Sequence, residues 1–140
     1  MPSANEVQHD GSHYRNRDSN YQHWDLVADT GMGYFEAQIT RYIARWRFKE
    51  GALDVEKALH YAQKMSELIK EGRYPTRQVP QREDAMVLLE AFAIKQKLTR
   101  EETLIFELCA MRATEGDVDR LLFRITALLS EARKETPRRD

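Results

Sequence analysis

Tyr34-Phe35-Glu36-Ala37-Gln38-Ile39-Thr40-Arg41-Tyr42-Ile43-Ala44-Arg45-Trp46-Arg47-Phe48 repeats its apolar residues Phe35, Ile39, Tyr42, Ile43 and Trp46 at offsets of three and four. That is the period of a helix with one buried stripe. Gly51 stops it. Asp54 is the expected N-cap of a second helix, with Val55, Ala58, Leu59, Ala62, Met65 and Ile69 on its stripe and Gly72 and Pro75 at its end. The connection between the two is short, so they are expected to pack antiparallel, a hairpin over about 34–71.

On either side of this hairpin the pattern stays helical. Residues 1–20 are polar and read as an irregular arm, and Tyr21–Val27 is a short amphipathic segment before the turn Asp29-Thr30-Gly31-Met32-Gly33. Residues 73–82, with Pro75 and Pro80, form the expected linker. A third helix over about Glu83–Lys97 is apolar on most of its surface, which calls for a cover from its own chain or a second copy. Thr99-Arg100-Glu101-Glu102 is a capping box opening a fourth helix to about Ala113. Gly116-Asp117 separates it from a fifth that runs to about Arg133, and 134–140 is a charged tail. No strand pattern is present, so the expected class is all-α. The hairpin belongs to a segment 21–72, and 83–133 is a three-helix extension with a role in homo-oligomerisation.

Composition narrows the function. The 140 residues suit one domain, and 22 Lys and Arg against 23 Asp and Glu leave a net charge of -1, which argues against a bulk polyanion binder. The single cysteine, Cys109, in an apolar helix, leaves no intrachain disulfide or multi-cysteine zinc site. No apolar run approaches membrane-spanning length, and the polar start MPSANEVQHDGSHYRNRDSN is not a secretory signal, so the expected location is the cytoplasm and no membrane partner is expected. No phosphate loop, dinucleotide fingerprint or nucleophile elbow occurs. The last two helices could be joined as a helix-turn-helix, but the second begins with Asp117 and Asp119 and is apolar along its length, so DNA binding is not expected.

The chemistry concentrates in Arg41-Tyr42-Ile43-Ala44-Arg45-Trp46-Arg47-Phe48-Lys49, with four cations in nine residues. Arg41, Arg45 and Lys49 follow at i, i+4, i+8 and line one flank, while Ile39, Ile43 and Trp46 turn to the core. Like charges at that spacing repel, so the row invites an anion. Arginine forks suit phosphate oxygens, and Tyr34, Tyr42 and Trp46 offer flat faces. The competing reading pairs the arginines with Glu36, Asp54 and Glu56, or leaves them solvated. Lys57, His60, Tyr61 and Lys64 make a second polar, cationic stripe that could face the first across the hairpin. The four histidines show no paired metal spacing, and no metal site is assigned.

His13-Tyr14, the Tyr34–Arg45 helix, Lys49 and Asp54-Val55-Glu56-Lys57-Ala58-Leu59-His60-Tyr61-Ala62 together resemble a small domain frequent in tailed bacteriophages. Its pattern is a His-Tyr pair, a Lys-Tyr-Ile-x-Arg helix, a following Lys and an Asp-x-x-Lys-Ala-x-x-Tyr helix. It is a domain of unknown function often labelled nucleotide kinase-like. The resemblance covers about residues 10–70, and this chain has Arg41 at the usual Lys. It implies a nucleotide-binding phage protein in the infected bacterial cytoplasm. The implied ligand-binding residues are His13, Tyr14, Arg41, Tyr42, Arg45, Lys49, Lys57 and Tyr61. A kinase acting on nucleoside monophosphates would also take ATP and Mg²⁺, for which Asp25, Glu36 and Asp54 are the nearest carboxylates. Two rival expectations are a non-catalytic sponge that sequesters a cyclic or linear nucleotide signal of anti-phage defence, and a protein-interaction module.

Overall fold

A computed structural model describes residues 21–74, 79–112 and 114–135. They form six helices and no strand: α1 (His23–Thr30), α2 (Tyr34–Arg45), α3 (Ala52–Lys70), α4 (Arg82–Gln96), α5 (Arg100–Met111) and α6 (Glu115–Glu135). The all-α expectation holds. No helix among the described residues is long and apolar enough to cross a membrane.

Helix boundaries follow local chemistry. The Gln22 N–H donates to Asp25 Oδ2 at 2.9 Å, closing the start of α1, and Gly31 ends it at φ 69°. α2 stops at Arg45, three residues short of the expected Phe48. Phe48 N–H then bonds the Arg45 carbonyl and Gly51 N–H the Trp46 carbonyl, both at 2.9 Å, which winds the chain out of the helix. Asp54 is not the N-cap of α3. That position belongs to Gly51, at φ 61°, and Asp54 lies inside the first turn, where its Oδ2 accepts from Glu50 N–H at 3.0 Å.

The capping box of α5 is present. Glu102 N–H donates to Thr99 Oγ1 at 3.2 Å and Thr99 N–H to Glu102 Oε1 at 2.7 Å. α6 is opened by Thr114 rather than by Gly116-Asp117. Asp117 N–H bonds Thr114 Oγ1 at 3.2 Å and Thr114 N–H bonds Asp117 Oδ2 at 3.0 Å. Gly116 sits within the helix.

α2 and α3 pack as the expected hairpin, and α6 lies along α3. α5 packs on α2 and α6, while α4 joins α5 to α1. One apolar cluster runs through all six, from Leu26 of α1, Ile39 and Ile43 of α2 and Val55 and Met65 of α3 to Leu89 and Phe92 of α4, Phe106 and Cys109 of α5 and Leu121 and Ile125 of α6. The segments 21–72 and 83–133 therefore share a single core. Burial of such side chains contributes about 1.5–3 kcal/mol each and dominates the stability. Polar ties cross between the segments as well: Trp46 to Glu102, Arg112 to Glu36 and Arg133 to Glu56.

Candidate functional site

A cleft of about 400 Å³ opens where the α1 start, the C-terminal half of α2, the turn after it and the C-terminal end of α4 meet. It is lined by Gln22, His23, Arg41, Ala44, Arg45, Phe48, Lys49, Phe92, Lys95 and Gln96. Four of these are cations and none is a carboxylate. The helical spacing read from the sequence explains half of this: Arg41, Arg45 and Lys49 do fall on one flank. The other half is tertiary, because α4 packs on α1 and carries Lys95 to the same opening.

The four cations differ in how they are held. Arg41 and Lys49 are exposed, and neither forms an ion pair with a described residue. Arg45 is tethered, its Nε lying 3.2 Å from Oδ2 of the fully buried Asp54. Lys95 donates to the Tyr21 carbonyl, which pins the chain entering α1. Burial holds its ammonium below the ordinary lysine range, while Asp25 opposes that shift. Two of the cations are thus anchored by polar contacts, and two form no ion pair with a described residue.

His23 supplies the neutral wall. Its Nε2 is 2.7 Å from Thr40 Oγ1. Desolvation, then the Arg41 charge, lowers its pKa to about 4, so the imidazole is uncharged near neutrality. Of the two rings, Phe92 is in the core and stacks on Phe106 at 5.6 Å. Phe48 is 68% exposed and free to cover a planar ligand, with the Arg47 guanidinium 5.7 Å from its centroid.

The structure divides the residues expected from the sequence. Arg41, Arg45 and Lys49 line the cleft. Tyr42, Lys57 and Tyr61 do not. They form a second cluster between α2 and α3, in which Tyr42 stacks on Tyr61 at 5.9 Å and 20°. Lys57 Nζ lies 5.5 Å from the Tyr42 centroid, and the Arg45 and Arg41 guanidinium carbons 5.1 and 5.8 Å from it. The two arginines thus border both places. His13 and Tyr14 lie outside the described residues. Trp46 offers no flat face: it is 5% exposed and its indole N–H donates to Glu102 Oε2 at 2.6 Å. His60 is exposed, and Lys64 pairs with Glu67 at 3.6 Å.

Of the expected arginine partners, only Asp54 serves α2. Glu56 pairs with Arg133 at 2.8 Å, and Glu36 is buried with Arg112 and the Tyr74 hydroxyl. Asp25, Glu36 and Asp54 are all engaged and do not converge. No group of three or more His, Cys, Asp or Glu that could hold a metal occurs among the described residues.

His23, Phe48 and Lys95 escaped the sequence reading of the site. Phe48 looked like the end of a helical stripe. Lys95 lies in a different helix, and no local spacing links it to Arg41. His23 gave only a lone-histidine signal. No protein-family model, curated protein or solved structure matches this chain.

Proposed function

We propose that the chain binds the phosphate groups of a nucleotide in the cleft between α2 and α4. The observation that carries this reading is a 400 Å³ opening whose described lining has four cations and no carboxylate, with an exposed phenyl ring at its mouth. A phosphate offers charge-assisted acceptors for Arg41 and Lys49, and the base or sugar lies against Phe48. The resemblance to the phage nucleotide kinase-like domain points to the same ligand class. It implies in addition a phage protein acting inside the infected bacterium.

Phosphoryl transfer would add ATP as donor and Mg²⁺. Among the described residues the lining carries no carboxylate to hold that ion. This favours the second form of the reading, in which the protein retains a linear or cyclic nucleotide without turning it over.

Thermal-shift and calorimetric titration with mono-, tri- and cyclic dinucleotides tests binding. A ligand at 100 times its dissociation constant adds about 2.7 kcal/mol to stability. Loss of the response in Lys49→Ala, with unchanged melting of the free protein, distinguishes the cleft from the Tyr42–Tyr61 stack, which Arg41 also borders. No response to any nucleotide removes the reading. Incubation with ATP, Mg²⁺ and each monophosphate separates the two forms, since diphosphate product requires the catalytic one.

A further inference from the structure

The start of α1 brings two adjacent residues, Gln22 and His23, to the cleft wall. The backbone around Gln22 is fully held. Its N–H donates to Asp25 Oδ2 at 2.9 Å, its carbonyl accepts from Leu26 N–H at 3.1 Å, and Lys95 of α4 donates to the Tyr21 carbonyl just before it. The side-chain Nε2 of Gln22 is nevertheless buried with no hydrogen-bond partner among the described residues. A buried donor left unpaired costs stability, so its retention beside an open cleft points to an acceptor supplied by a ligand.

His23 presents the opposite polarity. Thr40 Oγ1 lies 3.0 Å from the Glu36 carbonyl oxygen and 3.2 Å from that of Ala37. A hydroxyl has one proton, and these contacts take it. Toward His23, 2.7 Å away, Oγ1 is therefore the acceptor, and the imidazole carries its proton on Nε2. Burial, then the Arg41 charge, keeps the ring neutral near neutrality. Nδ1 is left as a bare lone pair with no hydrogen bond to a described residue. The two neighbours thus offer one donor and one acceptor in a cleft whose charged groups are all cations.

A phosphate suits the cations but not this pair, since its oxygens would meet the Nδ1 lone pair. A nucleobase edge suits it: a carbonyl oxygen or ring nitrogen beside an N–H supplies an acceptor for Gln22 and a donor for His23. We propose, resting on the nucleotide reading above, that Gln22 Nε2 and His23 Nδ1 together read the hydrogen-bonding edge of a nucleobase whose phosphates lie on Arg41 and Lys49.

Calorimetry compares the four ribonucleoside 5′-monophosphates, the same four methylated on the N–H of that edge, and ribose 5-phosphate. At least one monophosphate is expected to bind about tenfold or more tighter than its methylated form and than ribose 5-phosphate. Gln22→Met and Gln22→Glu both lack the donor, and the second keeps an acceptor of the same length. Each is expected to lose most of that preference with native helix content by circular dichroism. Nitrogen-15 NMR is expected to show His23 protonated on Nε2, with its Nδ1 resonance moving on addition of the preferred monophosphate and not of ribose 5-phosphate. Monophosphates that bind no tighter than ribose 5-phosphate overturn the proposal, as does a folded Gln22 variant that keeps the full preference, or a His23 proton on Nδ1. A protein that binds ribose 5-phosphate and nucleotides equally loses only this proposal, whereas one that answers to no nucleotide loses the nucleotide reading with it.

Discussion

Trp46 and Glu102, separated by 56 positions in the chain, are joined by an indole N–H donating to a carboxylate oxygen at 2.6 Å, with both side chains buried. The same carboxylate accepts from Arg47 Nη2 at 3.0 Å and from the Thr99 N–H at 2.7 Å. One acidic group therefore caps α5, satisfies the indole and holds the turn on which Phe48 and Lys49 reach the cleft.

Glu102→Ala should cost about 2–4 kcal/mol, because it strands a buried N–H and removes the cap together. Glu102→Gln retains an acceptor and should cost about half as much. Urea denaturation reads both; equal and negligible losses would show that the contact is not structural.

The second prediction concerns the two classes of cation. Arg41→Ala and Lys49→Ala should leave stability within about 0.5 kcal/mol of the wild type, since both are exposed and without an ion pair. Arg45→Ala should cost about 1–3 kcal/mol. It removes the partner of Asp54, which is fully buried and whose Oδ1 has no hydrogen-bond partner. Nucleotide affinity should fall about tenfold or more in the first two variants, by calorimetry. Loss of binding in Arg45→Ala alone would indicate a structural effect rather than a ligand contact.

His23 predicts a pH dependence. Its folded pKa, about 4, lies below the ordinary value of 6.5. The unfolded chain therefore binds more protons between these values, and folding stability falls as pH drops from about 6.5 to about 4. The loss should approach about 3 kcal/mol and then level off. His23→Gln should flatten that part of the curve. A variant with the same slope as the wild type would assign the dependence to other groups.

Glu36 and Arg112 form a buried ion pair at 3.3 Å, and Glu36 also accepts the Tyr74 hydroxyl. Glu36→Ala should cost about 3–5 kcal/mol by leaving the guanidinium uncompensated. The double Glu36→Leu, Arg112→Met variant should cost clearly less. A double variant as unstable as the sum of its parents would show that the two do not act as a pair.

Gly33 sits against this group. A Cβ there would collide with the Tyr74 hydroxyl and lie 3.1 Å from Glu36 Oε1. Gly33→Ala should thus cost about 1–3 kcal/mol by displacing Tyr74. Combining it with Tyr74→Phe should relieve part of that loss in thermal melts.

Local signals in the sequence determined that these segments are helices, though not all of their ends. The apolar stripe of Ile39, Ile43 and Trp46, the Val55–Ile69 stripe, the capping box at Thr99 and Glu102 and the left-handed glycines at 51 and 72 are local signals, because side chains three and four residues apart share a face and glycine alone tolerates the terminating turn at little cost. The same spacing placed Arg41, Arg45 and Lys49 together. Their surroundings were decided by tertiary packing. Whether Arg45 meets Asp54 or solvent depends on how α3 begins, and Gly51 rather than Asp54 sets that start. Whether the arginine row faces Tyr61 or Lys95 depends on where α4 docks, since each helix has freedom to rotate about its axis until the core fixes it. Tyr42 went to the stack on Tyr61, while Lys95 and Phe48 came to the cleft. Residues distant in sequence meet only when burial of Leu89 and Phe92 against the common core orients α4, and no spacing within one segment encodes that orientation.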